Sequence, residues 1–136
     1  MESRKVTNQG RATSPQRLYT MKASDKLIKT VDKFNQDLKA FGEQTGEEII
    51  TLYEDANTTR DVKADFKLCK NGVLTWTEKD HNGIHKERYE HLDEDDVRDT
   101  LSFWRANLRR AKRYWEMDTD TLDKIQDGEI EDKEEE

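Results

Sequence analysis

The sequence predicts a small α+β domain in which an antiparallel meander of three to four strands is covered by two amphipathic helices. Apolar residues recur every three or four positions over 24–41 and again over 93–115, which is the period of an α-helix. Between these segments, from about 47 to 90, the apolar period falls to two, and glycine-containing turns divide the stretch. This order of elements predicts two helices packed on one face of a sheet.

The first predicted helix carries a narrow apolar stripe. Its members follow one another at steps of four, three, four and three residues: Leu27, Val31, Phe34, Leu38 and Phe41. Ser24 is a favoured N-cap residue, Gly42 and Gly46 bracket the predicted stop, and we expect a strong helix over about 24–41. Ser14 followed by Pro15 offers an additional upstream start for a weaker extension of this helix.

The middle of the chain predicts the strands. Asn71-Gly72 is a strong hairpin signal, because both residues accept positive φ, and a second turn is expected at 80–83. The segments around these turns alternate between apolar and polar side chains, as expected for strands with one buried face. The predicted strands cover about 48–53, 62–68, 74–77 and 84–90.

The second predicted helix carries the broadest apolar face of the chain. Asp93 can cap its start, and apolar residues then repeat at steps of four and three up to Trp115. Such a face can contact the sheet and the first helix together, and a short third helix is expected to begin at Asp118 or Thr119 and to end at Gly128. The predicted core comprises Leu27, Val31, Phe34, Leu38, Phe41, Ile50, Leu52, Val62, Phe66, Leu68, Leu74, Trp76, Val97, Leu101, Trp104, Leu108 and Trp115.

The two ends of the chain carry opposite charge, although the net charge of the 136 residues is only -7. Residues 1–24 have a net charge of +4, and residues 116–136 have a net charge of -9. Segments of this composition bury too little apolar area to offset the entropy of ordering, so we expect them to be mobile without a partner. The predicted organisation is a basic N-terminal arm over 1–23, a single α+β domain over 24–117, and a short helix with an acidic tail over 118–136.

The cations of the second helix permit two interpretations. A basic run over 105–113 could bind nucleic-acid phosphates, with Trp104, Tyr114 and Trp115 available to stack on bases. The favoured interpretation is structural, because acids at a helix start and cations at its end complement the helix dipole, and the tryptophans fall on the apolar face. The acidic tail could also fold back onto these cations, or an acidic partner protein could bind them. The candidate interaction surface comprises Arg98, Arg105, Arg109, Arg110, Lys112 and Arg113 of the helix, with Arg4, Lys5, Arg11 and Arg17 of the arm.

The sequence contains no recognisable pattern for metal binding or catalysis. His85 and His91 would lie about 20 Å apart on an extended strand, which is too far for one zinc ion. Asp118, Asp120 and Glu129 match three positions of a calcium loop, but the positions between them break the pattern, and a capped helix start is favoured. The single cysteine excludes an internal disulfide, and no glycine-rich phosphate loop or nucleophile motif occurs. We therefore expect no enzymatic activity, cofactor, metal or small-molecule substrate.

Function is expected to reside in charged surfaces and tails. The leading hypothesis is a non-catalytic structural or assembly subunit that docks onto protein partners in a larger complex, for example a virus or phage particle, because oppositely charged ends suit multi-subunit docking. The alternatives are a nucleic-acid-associated accessory factor acting through the 93–115 helix, and a small acidic inhibitor that mimics nucleic acid. No run approaches the roughly 18 apolar residues of a membrane span, so we expect an intracellular location, in the cytoplasm or in a particle assembled there.

Overall fold

A computed structural model describes residues 22–132 and confirms the α+β class. Within this range, three helices accompany a five-stranded antiparallel sheet. The elements are α1 (Asp25–Thr45), β1 (Ile50–Asp55), β2 (Thr58–Val62), β3 (Lys67–Leu68), β4 (Leu74–Asp80), β5 (Gly83–Tyr89), α2 (Glu94–Glu116) and α3 (Thr119–Gln126). None of the helices within residues 22–132 combines the length and the apolar content needed to cross a membrane. The predicted upstream helix extension and the basic arm lie outside the described residues.

Helix α1 begins where the sequence indicates and ends later than expected. The Ser24 hydroxyl accepts a hydrogen bond from the backbone N–H of Leu27, at 3.2 Å, and caps the N-terminus. The helix continues through Gly42 and stops at Gly46, which has a φ of 78°. Gly42 instead serves close packing, because a Cβ at this position would lie 2.8 Å from Cδ1 of Ile50 on β1. The helix thus ends between the two glycines that bracket the predicted stop, four residues beyond the predicted end at about 41.

The predicted hairpin between β3 and β4 forms, with a different turn. Gly72 has a φ of 91°, whereas Asn71 keeps a negative φ. The Asn71 side chain accepts a hydrogen bond from the N–H of Val73 at 3.2 Å, and the N–H of Gly72 donates to the carbonyl of Cys69 at 2.9 Å. One residue of positive φ is therefore sufficient, because the asparagine side chain stabilises the turn locally. The turn between β4 and β5 lies at Asp80–Gly83, as predicted.

The strand predicted over 62–68 is interrupted, and the prediction is wrong for most of its length, because the structure has β2 over Thr58–Val62 and only the two-residue β3 at Lys67–Leu68. β5 pairs with one edge of β4 along its whole length, so β2 and β3 share the other edge at opposite ends of β4. Between them, the Asp65 carboxylate accepts hydrogen bonds from the Thr77 N–H at 2.9 Å and from its hydroxyl. The Asn35 side chain on α1 accepts one from the Phe66 N–H at 2.8 Å. Side chains thus satisfy backbone groups that the ladder leaves unpaired.

The interruption turns Phe66 into the core, where it joins the two helices to the sheet. Its ring lies 5.1 Å from that of Phe34 on α1, 5.2 Å from that of Trp76 on β4 and 5.4 Å from that of Trp104 on α2. Perpendicular and offset ring contacts of this kind add to the stabilisation from burial. One continuous core therefore lies between the helices and the sheet.

Trp115 is the exception among the predicted core residues. All the others are buried, whereas Trp115 is 53% exposed. In the last turn of α2, Tyr114 takes the buried position, with its ring 4.9 Å from that of Tyr53 and its hydroxyl 2.6 Å from the Asp132 carboxylate. Residue 114, and not residue 115, is therefore the buried position in this turn of the helix. The prediction that Trp115 is buried was wrong.

Candidate interaction surface

Helices α1 and α2 lie side by side and run in the same direction. At their starts, the backbone N–H of Ser24 donates a hydrogen bond to the Glu94 carboxylate at 2.8 Å. At their ends, the Phe41 ring lies 6.5 Å from the Trp115 ring. The two helices are thus parallel, and a groove runs between their exposed sides.

The groove between the helices is cationic. It has a volume of about 480 Å³ and is lined by Lys26, Lys29, Thr30, Lys33 and Arg105. All four charged side chains belong to exposed residues. Lys33 has an ion pair with Asp37 at 2.6 Å, one helical turn further along α1. Because four like charges converge on one concave surface, the groove favours an anionic ligand.

Two of the predicted surface cations support the fold. Arg98 forms ion pairs with Glu94 at 3.2 Å and Asp95 at 3.6 Å in the first turn of α2. Arg110 donates hydrogen bonds to the carbonyls of Tyr53 and Glu54, at 2.9 and 2.7 Å, and so joins α2 to the end of β1. Arg98 therefore acts within α2 alone, whereas Arg110 joins two elements of the fold.

Arg113 binds the C-terminal segment. Its Nη2 lies 2.6 Å from both carboxylate oxygens of Asp132, which also accepts the hydrogen bond from Tyr114. Burial, together with the hydrogen bond to Asp132, raises the pKa of Tyr114 to about 12. Burial alone would raise the pKa of Asp132, but the hydrogen bonds from Tyr114 and Arg113 outweigh it and lower the pKa. The acidic segment thus folds back onto the helix, as the sequence suggested it could.

Residues 118–132, which include the predicted short helix, contact the rest of the domain. Asp118 caps α3 by accepting a hydrogen bond from the Thr121 N–H at 2.8 Å, which confirms the predicted helix start. Ile125 is buried, and the Gln126 side chain donates to the carbonyl of Ala56 at 3.1 Å. The few apolar residues of this segment lie on one side of a short helix, which allows them to contact the domain.

Three cations of the predicted surface remain available on α2. They are Arg105, Arg109 and Lys112. Each is exposed and has no ion-pair partner among residues 22–132. They follow one another at steps of four and three residues, which places them on one face of the helix. The cations of the arm, Arg4, Lys5, Arg11 and Arg17, lie outside the described residues.

His81 and His85 lie at the turn end of the β4–β5 hairpin. His85 Nε2 is 2.6 Å from the Glu87 carboxylate and 3.6 Å from that of Asp80. His81 lines the same polar cleft of about 580 Å³, whereas His91 follows β5 with a φ of 62°. In the part of the chain that the structure describes, no group of three or more His, Cys, Asp or Glu side chains could hold a metal ion.

A second cleft, apolar in character, lies where α1 and α2 end. It has a volume of about 420 Å³, and Trp115 forms part of its wall. The aromatic residues in the lining are Phe41, Tyr53, Tyr114 and Trp115. Its only acid among the lining residues is Glu47, and none of the lining residues is a cation. This cleft combines four aromatic rings with one carboxylate.

Sequence reasoning missed both the groove and the apolar cleft. The lysines of α1 follow one another at helical spacing, Lys26, Lys29 and Lys33, which was a usable signal for an exposed cationic face. Their position opposite Arg105 depends on the parallel arrangement of the helices, which no local pattern encodes.

Comparison with protein-family models, with curated proteins and with solved structures finds no significant match for this chain.

Proposed function

We propose that the protein is a non-catalytic interaction subunit that binds an acidic segment of a partner protein in the groove between α1 and α2. The observation that carries this proposal is the convergence of Lys26, Lys29, Lys33 and Arg105 on one concave surface. Lys33 is paired with Asp37, whereas Lys26, Lys29 and Arg105 have no acidic partner among residues 22–132, so carboxylates from a partner would complement their charge.

The spacing of the cations suits a peptide with regularly placed carboxylates. Lys26, Lys29 and Lys33 lie at successive turns of α1, about 5–6 Å apart at their Cβ atoms. Acidic side chains three or four residues apart on a helix have the same spacing, and alternate residues of an extended strand lie about 7 Å apart. Arg105 on the opposite wall can contact the same segment, because its guanidinium pairs well with a carboxylate.

The wider setting of this role is also a proposal. Opposite net charges at the two ends of the sequence suit a subunit that docks with several neighbours in a larger assembly, such as a virus or phage particle. A location inside the cell, or in a particle assembled there, belongs to the same proposal.

The groove is tested by titrating the full chain with a fluorescent hexaglutamate peptide and measuring anisotropy. The double variant Lys29→Gln/Arg105→Gln should weaken binding about tenfold at low salt, since two ion pairs of roughly 0.7 kcal/mol each are lost. Lys67→Gln is the matched control, because Lys67 is an exposed cation on β3, away from the groove. Equal affinity of the double variant and the control would show that the acidic segment does not bind in the groove.

A nucleic-acid-associated role is the second candidate, and the exposed row of Arg105, Arg109 and Lys112 favours it. Exchange of all three for Gln should abolish retention on DNA or RNA, while retention by the wild type should weaken steeply with salt. Retention that survives this triple exchange would exclude the row as a nucleic-acid interface.

The acidic-inhibitor alternative stays a prediction. It depends on the tail, and one tail residue, Asp132, is bound to Arg113 in the structure.

A further inference from the structure

The apolar cleft at the ends of α1 and α2 is separate from the cationic groove. Trp115 is 53% exposed at its wall, and the Phe41 ring stands nearly perpendicular to the Trp115 ring, at 88°. The rings of Tyr53 and Tyr114 form a second perpendicular pair, at 81°. A volume of about 420 Å³ lies within the range of small-ligand sites. The cleft is therefore an aromatic site large enough for a side chain from another molecule.

The electrostatics around the cleft favour a cation. Because the helices are parallel, both α1 and α2 direct their C-terminal ends, which carry partial negative charge, towards it. The last turn of α1 contains no basic residue, and the one cation in the last turn of α2, Arg113, is paired with Asp132 and lies 5.2 Å from the centre of the Tyr114 ring. Arg110 binds the Tyr53 carbonyl, so the part of the cleft that favours a further cation lies at Trp115 and Glu47, not at the two tyrosines. The N-terminus of α3 opposes this effect, but the Asp118 carboxylate caps it. Glu47 in the lining adds a full negative charge.

Aromatic rings add an attraction that is specific to cations. The face of an indole ring binds ammonium groups through its quadrupole, more strongly than phenol or benzene rings do. Trp115 is the most exposed of the four rings and so the most accessible to a ligand. Glu116, the residue after Trp115, is exposed and adds a further negative charge, whereas Asp120 in the first turn of α3 is paired with Lys124 at 3.4 Å.

We propose that this cleft binds a lysine side chain from a basic segment of a partner protein, with the ammonium group against Trp115 and close to Glu47. The proposal is independent of the acidic ligand proposed for the groove, because the two sites share no lining residue. A lysine suits the cleft because its apolar stem can contact Phe41 and Leu122 while its charge meets the rings and the carboxylate.

The test uses the peptide Gly-Gly-Lys-Gly-Gly, blocked at both termini, and a matched peptide whose single lysine is replaced by norleucine. Norleucine keeps the length of the side chain and removes the charge. The readout is the Trp115 indole N–H resonance of the full chain, identified by its absence in Trp115→Phe. The lysine peptide should shift this resonance on titration. The Kd of the lysine peptide should be at least about fivefold lower than that of the norleucine peptide. Equal or tighter binding of the norleucine peptide would overturn the proposal, because the cleft would then be only hydrophobic.

Two variants separate the aromatic contribution from simple packing. Trp115→Leu keeps an apolar side chain without a ring and should weaken lysine-peptide binding about fivefold, measured on other shifted resonances, whereas Trp115→Phe should weaken it less. Glu47→Gln should weaken it about threefold. The variant Lys29→Gln/Arg105→Gln should leave lysine-peptide binding unchanged, so that the proposals for the groove and the cleft can be refuted independently. Identical affinities of the Leu and Phe variants would contradict a role for the ring.

A further outcome concerns the protein's own basic arm. Exchange of Arg4, Lys5, Arg11 and Arg17 for Gln should leave the Trp115 resonance of the free protein unchanged. If the resonance moves, the arm itself contacts the cleft, and the proposal of a separate partner is wrong.

Discussion

The contrast between Trp104 and Trp115 gives the strongest prediction for stability. Both belong to the apolar repeat of α2, yet Trp104 is 2% exposed and Trp115 is 53% exposed. A buried tryptophan removes about 200 Å² from water, which at about 25 cal/mol per Å² corresponds to about 5 kcal/mol. We therefore expect Trp104→Ala to lower the free energy of unfolding by about 4–5 kcal/mol, and Trp115→Ala to lower it by at most about 2 kcal/mol.

The measurement is urea denaturation followed by far-UV circular dichroism, because tryptophan fluorescence changes with the substitutions themselves. A loss of 4–5 kcal/mol approaches the whole stability of many small domains, so Trp104→Ala can fail to fold. Trp104→Phe then serves in its place, with an expected loss of about 1–2 kcal/mol, against less than about 1 kcal/mol for Trp115→Phe. Equal losses at the two positions would refute the assignment of Trp115 to an exposed cleft.

Three further predictions concern single side chains. Gly42→Ala should lower the free energy of unfolding by about 1 kcal/mol, because the added Cβ would crowd Ile50. This loss outweighs the higher helix propensity of alanine. Urea denaturation measures the change in the free energy of unfolding. Asp132→Asn should lower the pKa of Tyr114 from about 12 towards 10, measured by ultraviolet absorbance titration, because the carboxylate bond favours the protonated phenol. Burial alone would raise the pKa of Asp65, but the hydrogen bonds of its carboxylate lower that pKa. The stability that Asp65 contributes is therefore present above about pH 4 and is lost on further acidification. Asp65→Asn should make the free energy of unfolding less dependent on pH in this range.

Much of the fold follows from local patterns in the sequence. The α2 helix shows this best, because its capping residue and its apolar repeat both act within a few turns. The Asp93 carboxylate accepts a hydrogen bond from the Asp96 N–H at 2.8 Å, as its position before an acidic first turn indicates. Hairpin turns are also local, and both predicted turns form.

The errors arise where distant parts of the chain meet. Gly42 looked like a helix end, but its role is set by Ile50, which lies on another element. The break between β2 and β3 depends on Asn35 of α1, which reaches across to the Phe66 N–H. The exposure of Trp115 depends on Tyr53 and Asp132 together. Periodicity describes one element at a time and contains none of these contacts.

The candidate sites were predictable only in part. The exposed row on α2 could be deduced from helical spacing, but the use of Arg110 and Arg113 within the fold could not, since their partners are far along the chain. The groove and the apolar cleft both require the relative direction of two helices, which depends on Ser24 meeting Glu94.

The parallel helices also determine where the described chain enters and leaves the domain. Ser24 lies beside the start of α2, whereas Asp132 is bound to Arg113 near its end. The 20 helical residues from Glu94 to Arg113 span about 30 Å, so Ser24 and Asp132 lie at opposite poles of the domain. Two partners that each bound one pole would therefore be held about this distance apart. Fluorophores attached at the two poles would measure that span directly.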